Sequence, residues 1–345
     1  MCGCSPRRLR PRHGFLRASN HYRSAEFFLH GHPCGPRHDH AYARSVECFK
    51  AAAALYTTPP IETVEIPCEN TTLPGYLYRV DDSGTPRPTL IMHNGFDGTA
   101  EEMHFFGATA GVERGYNVLV FDGSGMPGPR HREGPVFRPD WENVVSPVVD
   151  FAETVPEIDN DRMALLGLSM GGVLAPRAAA FEHRLAALIA VDGLYDLGQV
   201  SVRNIPGTRQ EAERLLRAAS APELDAALEQ LMAKDPVSRR AINHGMYVMG
   251  VDTPRAFNAS YLDYTVAGGI SEQIRCPTLV CDAVEDMFFT GQPEQLFEHL
   301  TCPRTLMVFS TEEGAGAHRH PGAVRLAQAR IYDWLDGTLR AGQPR

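Results

Sequence analysis

Ser169 is the residue whose setting in this sequence most directly indicates chemistry. It lies in the run GLSMGG (residues 167–172), after the apolar stretch 163–166 and before the helix-prone stretch 173–180. A serine on a sharp strand-to-helix turn projects its hydroxyl clear of the sheet, and the next backbone N–H faces the oxyanion that forms when the hydroxyl attacks a carbonyl. The flanking glycines remove side chains that would collide across the turn. The motif therefore predicts a nucleophilic serine.

A nucleophilic serine needs a histidine to take its proton, and a carboxylate to orient that histidine. Asp286 follows the apolar run 278–281, where a carboxylate would lie just past the end of a late strand. Asp282, which is expected to be still within the strand, and Glu285 are the alternatives. We expect Asp286 to be the acid.

The histidine should follow the last strand on a flexible loop, and the run GAGAHRH (314–320) offers two. Small residues directly before His318 favour it as the base. His320 precedes Pro321, a residue typical of a first helical turn, and is predicted to be a surface or capping histidine. Ser169, Asp286 and His318 then follow one another in the order serine, acid, histidine.

The oxyanion hole is predicted to consist of two backbone N–H groups. Met170, the residue after the nucleophile, supplies one, and Phe96 supplies the other from the loop after the apolar run 90–92. Gly95 would let that loop approach the substrate closely. Asp97, in the same loop, is a candidate for substrate contact.

The run RPDWE (138–142) supports two interpretations of its charged residues. Asp140 is either an N-cap for the following helix or a substrate contact. Arg138 either forms a structural salt bridge or holds an acidic or enolised group of the substrate.

A histidine-rich run, HGHPCGPRHDH (30–40), is dense in metal-ligand types. Its spacing matches no established zinc finger or ribbon, so a polar loop between two helices is the preferred interpretation. We expect no metal and no cofactor.

Composition bounds the class of protein. The chain has 345 residues, of which 43% are hydrophobic and 22% charged, and its formal net charge is −9. These values suit one α/β catalytic domain with a helical accessory part, and give no electrostatic reason to expect nucleic acid or an anionic membrane as partner. The basic N-terminus lacks the apolar stretch of a secretory signal, and its prolines argue against an organelle transit peptide. Eight cysteines without paired spacing beyond positions 2 and 4 suggest reduced thiols and a cytoplasmic protein.

Two kinds of element are expected to position the site. Apolar residues at helical spacing predict helices over 14–57, and short β-prone runs predict an antiparallel pair (64–66 and 76–78) with a turn at Pro74-Gly75 on a sheet edge. Apolar runs then predict buried parallel strands at 89–92, 117–121, 163–166, 187–191, 278–281 and 305–309.

No strand is convincing between Tyr195 and about Gln273, whereas 209–218 and 221–233 are strongly helical. This stretch is predicted to be a lid inserted over the site. The expected organisation is a helical N-terminal segment (1–60), a first core part (61–194), a helical lid (195–273) and a second core part (274–345).

Several runs together resemble one group of α/β-hydrolases, which includes 2,6-dihydroxypseudooxynicotine hydrolase and the fungal polyketide-shortening hydrolases of pigment pathways. The runs are 17–27, 138–142, 174–182 and 314–318. The resemblance implies the α/β-hydrolase fold, a mostly parallel sheet with helices on both faces, together with a helical N-terminal domain, frequent homodimers and no cofactor. By motif it also assigns the nucleophile, acid and base to Ser169, Asp286 and His318.

The sequence departs from that group at Asn94, where a glycine is customary, and in the run DGSGMP (122–127), where a Gly-Pro-Gly-Gln-Gly type is usual. Both departures concern substrate identity rather than the class of reaction. The leading hypothesis is hydrolysis of a carbon–carbon bond beside a carbonyl in an aromatic or polyketide-like small molecule. The same residues would also serve an esterase, thioesterase, amidase or acyltransferase, and a non-catalytic binding protein is a remote alternative.

Overall fold

A central eight-stranded sheet organises the molecule. The computed structural model describes residues 36–55, 59, 61–132 and 134–340. The strands are β1 Glu62–Cys68, β2 Thr71–Tyr78, β3 Arg87–His93, β4 Asn117–Phe121, β5 Ile158–Leu168, β6 Ala187–Val191, β7 Thr278–Ala283 and β8 Arg304–Phe309. They lie in the order β1-β2-β4-β3-β5-β6-β7-β8, and only the β1–β2 and β2–β4 pairs are antiparallel.

Helices cover both faces of this sheet, which confirms the predicted fold class. They are α1 Pro36–Ala53, α2 Thr109–Glu113, α3 Pro127–His131, α4 Glu142–Glu153, α5 Gly171–Ala179, α11 Gln292–His299 and α12 Val324–Arg340, with a π-helical turn at His104–Ala108. One core packs α4 and α5 against the sheet, and a second core packs α1 and α12 against the opposite face. Such two-faced burial is why the central strands are apolar throughout.

A third group of helices lies between β6 and β7. It consists of α6 Gly198–Val202, α7 Arg209–Arg217, α8 Pro222–Lys234, α9 Pro236–Met249 and α10 Pro254–Ser260, with 3₁₀ turns at Tyr261–Asp263 and Ser271–Gln273. We call residues 198–273 the helical insertion. The helix α9 begins where the Asp235 carboxylate accepts hydrogen bonds from the N–H groups of Val237 and Ser238, and it ends at Gly250 in the left-handed conformation.

The edge hairpin differs from the sequence prediction. The turn between β1 and β2 falls at residues 69–70, and Pro74-Gly75, predicted to be the turn, lies inside β2. Gly75 pairs with Phe121 of β4, and a Cβ atom there would come within 2.5 Å of the Val120 carbonyl oxygen. The glycine therefore serves a close strand contact instead of a turn.

The helix α1 accounts for the described part of the predicted N-terminal helices. Its Phe49 is fully buried, and the ring lies 4.7 Å from that of Tyr76 on β2. Residues 36–40 of the histidine-rich run form the start of α1 rather than a loop, and residues 30–35 lie outside the described residues. The resembling run 17–27 also lies outside them. Among the described helices, none combines the length and apolar character that crossing a membrane requires.

Candidate active site

Ser169 lies on the turn between β5 and α5, as its motif predicts. Its backbone has a φ of 62°, a left-handed conformation that is unusual for a residue with a side chain, and its N–H donates to the Val191 carbonyl oxygen at 3.2 Å. At Gly167 a Cβ atom would come within 2.1 Å of the Gly171 carbonyl oxygen. The turn can therefore close only because residue 167 has no side chain.

The structure brings Ser169, His318 and Asp286 into one hydrogen-bonded row. The Ser169 Oγ lies 2.9 Å from the His318 Nε2, and the His318 Nδ1 lies 2.8 Å from the Asp286 Oδ2. With the ring proton on Nδ1, the imidazole donates to the carboxylate and Nε2 accepts the serine proton. This arrangement suits proton transfer away from Ser169.

The environment of Asp286 keeps its carboxylate charged. Burial alone would raise the pKa of Asp286, but the hydrogen bond and charge of His318 and the N–H groups of Phe288 and Phe289 lower it below its usual value. These N–H groups donate to Oδ1 at 2.7 and 3.1 Å. A charged carboxylate is what can hold an imidazole that gains a proton.

The alternative acids and the alternative base lie elsewhere. Asp282 is within β7, and the Glu285 N–H donates to the Gly316 carbonyl oxygen at 2.7 Å, which ties the loop after β7 to the loop that carries His318. His320 is 1% exposed, and its Nδ1 lies 2.8 Å from the Ala315 carbonyl oxygen. The prediction of a surface or capping histidine is therefore wrong, because α12 begins only at Val324 and residue 320 turns inward.

The two predicted oxyanion donors belong to loops that touch each other. A Cβ atom on Gly95 would come within 2.6 Å of the Met170 backbone nitrogen, so the loop after β3 lies directly against the turn that carries Ser169. Among the described residues, neither the Met170 N–H nor the Phe96 N–H donates a backbone hydrogen bond. Both groups are thus free to stabilise a negatively charged oxygen.

Asn94 supports this loop from within. Its Oδ1 accepts from the Gly95 N–H at 2.9 Å, and its Nδ2 donates to the Glu102 Oε2 at 2.8 Å. A Cβ atom on Gly98 would collide with the Asn94 side chain. The residue that departs from the customary glycine is therefore a structural part of the loop.

The helical insertion also holds the loop after β3. The His244 Nε2 of α9 lies 3.0 Å from the Phe96 carbonyl oxygen, and the Arg240 guanidinium lies 2.8 Å from the Asp97 carboxylate. The Phe96 ring lies 5.9 Å from that of Phe257 and 6.1 Å from that of Tyr261. These contacts pair Asp97, predicted as a substrate contact, with an arginine of the protein.

Arg138 and Asp140 bind each other. The Arg138 Nε and Nη2 donate to the two Asp140 carboxylate oxygens at 2.7 and 2.8 Å, and its Nη1 donates to Glu69 at 2.7 Å. These contacts favour the structural salt bridge over the substrate contact. Asp140 does not cap α4, because its carboxylate is engaged by the side chains of Arg138 and Asn143, and the cap position is Trp141.

Three residues at the site were not predicted from the sequence. The Asp192 Oδ2 lies 3.3 Å from the His318 Nδ1, and His244 and Tyr261 contact Phe96. Asp192 directly follows the predicted strand 187–191, and an acid just past a buried strand was the available signal. For His244 and Tyr261 the sequence carries no comparable signal, because their roles depend on how the insertion packs.

One group of three potential metal ligands lies together in the described part of the chain: Asp192, Asp286 and His318. The His318 Nδ1 faces carboxylates and its Nε2 faces the Ser169 hydroxyl. Since both ring nitrogens are already engaged within the protein, this group fits a proton-transfer site better than a metal site.

Comparison with known proteins identifies the family of the chain. Residues 90–330 match the model of the alpha/beta hydrolase family. The hydrolase acrC of Aspergillus aculeatus is 35% identical in an alignment of 346 positions, gaps included, that covers 93% of this chain and 80% of that protein. The 20-hydroxy-prefusarin hydrolase of Gibberella moniliformis is 33% identical, over 94% of this chain and 80% of that protein.

A solved structure extends the likeness to the fold. The crystal structure of 2,6-dihydroxy-pseudo-oxynicotine hydrolase superposes with a TM-score of 0.70 at 22% identity, and the match covers 99% of this chain and 92% of that one. At 22% sequence identity, this similarity shows a shared fold only.

Proposed function

The chain belongs to the alpha/beta hydrolase family, and we propose that it is a serine hydrolase that cleaves a carbon–carbon bond beside a carbonyl group in an aromatic or polyketide-like small molecule. The observation that carries the proposal is the row of hydrogen bonds from Ser169 through His318 to Asp286, at 2.9 and 2.8 Å. In this proposal the three residues are nucleophile, general base and orienting acid.

The first half-reaction transfers the acyl part of the substrate to Ser169. The Oγ attacks the carbonyl carbon while the His318 Nε2 takes the hydroxyl proton, and the N–H groups of Met170 and Phe96 stabilise the oxyanion. The tetrahedral intermediate then collapses by breaking the carbon–carbon bond. The leaving carbon carries the electron pair as an enolate or electron-rich ring, and it takes the proton from His318.

Water completes the cycle. His318 accepts a proton from the water that attacks the acyl-serine ester, and Ser169 leaves with that proton as the carboxylic acid product forms. In the net reaction, one water molecule is added across one carbon–carbon bond.

Aromatic side chains around the site support an aromatic or conjugated substrate. The rings of Phe288 and Phe289 lie 5.1 and 5.2 Å from the His318 ring, and the Phe96 ring, in the loop after β3, lies 5.9 Å from that of Phe257. Flat apolar rings bind flat unsaturated substrates well. The choice of bond is supported by the sequence resemblance to carbon–carbon hydrolases, whereas the 33% identical relative, the 20-hydroxy-prefusarin hydrolase, supports hydrolysis in general.

Labelling with a fluorophosphonate, followed by intact-protein mass spectrometry, tests the serine chemistry. The parent should gain one adduct, and Ser169→Ala and His318→Ala should gain none within the same time, because the adduct needs both the hydroxyl and its base. A folded parent that stays unlabelled would refute the serine mechanism and favour a binding protein.

A substrate panel then tests the bond. We expect an aryl β-diketone to be cleaved to an acid and a ketone, and short p-nitrophenyl esters to be turned over poorly. Fast turnover of the esters without cleavage of the diketone would assign the same residues to ester hydrolysis.

A further inference from the structure

Asp192 occupies an unusual position directly after β6. Its side chain is fully buried, and its backbone φ is 56°, in the left-handed region that residues with side chains rarely adopt. Such a conformation costs free energy and persists only where the surroundings impose it. The reason for it should therefore lie in what the carboxylate contacts.

The backbone around Asp192 packs against the nucleophile turn. A Cβ atom on Gly172 would come within 2.5 Å of the Asp192 carbonyl oxygen, and the Leu194 N–H donates to the Gly172 carbonyl oxygen at 3.0 Å. The preceding residue, Val191, accepts the hydrogen bond from the Ser169 N–H. Asp192 is thus fixed relative to the nucleophile through backbone contacts.

The carboxylate of Asp192 reaches the other side of the site. Its two oxygens accept the Arg319 N–H at 3.1 and 3.0 Å, and its Oδ2 lies 3.3 Å from the His318 Nδ1. Arg319 also has a left-handed φ, of 62°. This backbone conformation directs the Arg319 N–H towards the Asp192 carboxylate. The same Nδ1 lies 2.8 Å from Asp286, and one ring nitrogen therefore faces two carboxylates.

The neighbours of Asp192 act on its carboxyl group in opposite directions. The pKa of Asp192 lies above its usual value, because burial and the charge of Asp286 raise it by more than His318, His320 and the Arg319 N–H lower it. A carboxylate that bridges two chain segments and faces an imidazole is suited to hold the protonated form of that imidazole.

We propose that Asp192 is a second acidic positioning residue, which anchors the His318 loop to the nucleophile turn and shares the His318 Nδ1 proton with Asp286, so that either carboxylate alone orients the imidazole. This inference rests on the proposed serine mechanism and adds a residue to it.

Removing the two acids singly and together tests the proposal. Asp286→Ala removes the nearer carboxylate without introducing a new donor, and Asp192→Asn keeps an acceptor for the Arg319 N–H but removes the charge. The readout is the second-order rate constant of fluorophosphonate labelling of Ser169, measured by mass spectrometry. Thermal unfolding verifies that each variant is folded.

We expect a loss of about 10-fold for Asp192→Asn and about 10²-fold for Asp286→Ala, and a loss of about 10⁴-fold for the double variant, the size seen when a triad loses its acid function. The double loss should exceed the product of the single losses, because each acid substitutes for the other. If Asp286→Ala alone reaches the loss of the double variant, the proposal is wrong.

A proton NMR measurement separates failure of this proposal from failure of the proposed function. The His318 Nδ1 proton, identified by its absence in His318→Ala, should give a downfield signal that shifts in Asp192→Asn, persists in Asp286→Ala and disappears in the double variant. Asp282→Asn, which removes a nearby carboxylate within β7, is the matched control and should leave signal and rate unchanged. If the parent is not labelled, the serine mechanism is wrong, but the role of Asp192 is still tested by NMR. If the His318 Nδ1 signal does not shift in Asp192→Asn, Asp192 is not a second acid.

Discussion

Gly95 allows the loop after β3 to approach the turn that carries Ser169 closely. An ideal Cβ atom at this position would lie 2.6 Å from the Met170 nitrogen and 2.7 Å from the Leu168 carbonyl oxygen. Both neighbours are backbone atoms, so neither can move aside as a flexible side chain would. The geometry of the predicted oxyanion hole therefore depends on the absence of one carbon atom.

Gly95→Ala should slow the labelling of Ser169 by about 10²-fold, the size of effect produced by loss of one oxyanion donor. The reason is that the added methyl group must push Phe96 away from Met170. Gly337→Ala, in α12 where a Cβ atom meets open space, is the control and should leave the rate unchanged. Parent-like labelling of Gly95→Ala would exclude Phe96 as the second donor.

At the scale of elements, the helical insertion and the loop after β3 are held together by side-chain contacts. The helix α9 contributes His244, which lies 3.0 Å from the Phe96 carbonyl oxygen, and Arg240, which pairs with Asp97. The hydrogen bond from α9 fixes the Phe96 carbonyl group. Because the Phe96 N–H lies on the adjoining peptide group, its orientation is restricted as well. The insertion thus positions a predicted oxyanion donor in addition to packing beside the site.

His244→Ala should lower the labelling rate about 10-fold, because the Phe96 carbonyl, in the peptide group next to the one that carries the Phe96 N–H, loses the partner that orients it. His244→Gln, which can still donate to the carbonyl oxygen, should recover part of the rate. Arg239→Ala, on the exposed side of the same helix, serves as the control. Equal rates in the alanine and glutamine variants would mean that packing, and not the hydrogen bond, holds the loop.

The sequence predicted elements well where burial alone decides them. The strands β4 and β6 begin and end at the residues that their apolar runs predicted, 117–121 and 187–191. The strand β5 begins at Ile158, five residues before its apolar run, because polar residues extend it as far as the pair between Arg87 and Ile158. Periodicity carries no signal for such an extension.

Sequence reasoning failed where contacts between distant segments decide the outcome. Pro74-Gly75 is a typical turn signal, yet Pro74 pairs with Glu65 of β1, and one residue beyond the last pair with β4 its carbonyl oxygen accepts the Asp122 N–H at 3.0 Å. The position of Asp192 beside His318 depends on the sheet order β6-β7-β8 and on left-handed residues in two loops. Neither feature is encoded in a local pattern of residue types.

At the scale of the whole molecule, a buried histidine in each of the two cores makes the stability of the fold depend on pH. His93 ends β3 on the face that packs α4, beside Trp141, and His104 lies on the opposite face beside Phe49 of α1. Burial lowers the pKa of His93 to about 4, against a smaller opposing effect of the Asn94 carbonyl, and burial lowers the pKa of His104 to about 4 as well. Each core therefore contains a histidine that resists protonation while folded.

The sign of the resulting pH dependence follows from these shifts. In the unfolded chain a histidine takes up a proton below about pH 6.5, whereas in the folded protein these two do so only near pH 4. Their contribution to stability is complete above pH 6.5 and is lost as the pH falls from there toward 4. The unfolded state gains protons across that window, and the folded state does not.

We expect the free energy of unfolding in urea to fall by about 2 kcal/mol for each of these histidines between pH 7.5 and pH 5. His104→Gln, which cannot titrate, should reduce the loss by about that amount, whatever it does to stability at pH 7.5. His183→Gln removes an exposed histidine and should leave the loss unchanged. If His104→Gln keeps the full loss, His104 titrates in the folded state as it does in the unfolded chain, and the acid sensitivity of the molecule must come from its carboxylates.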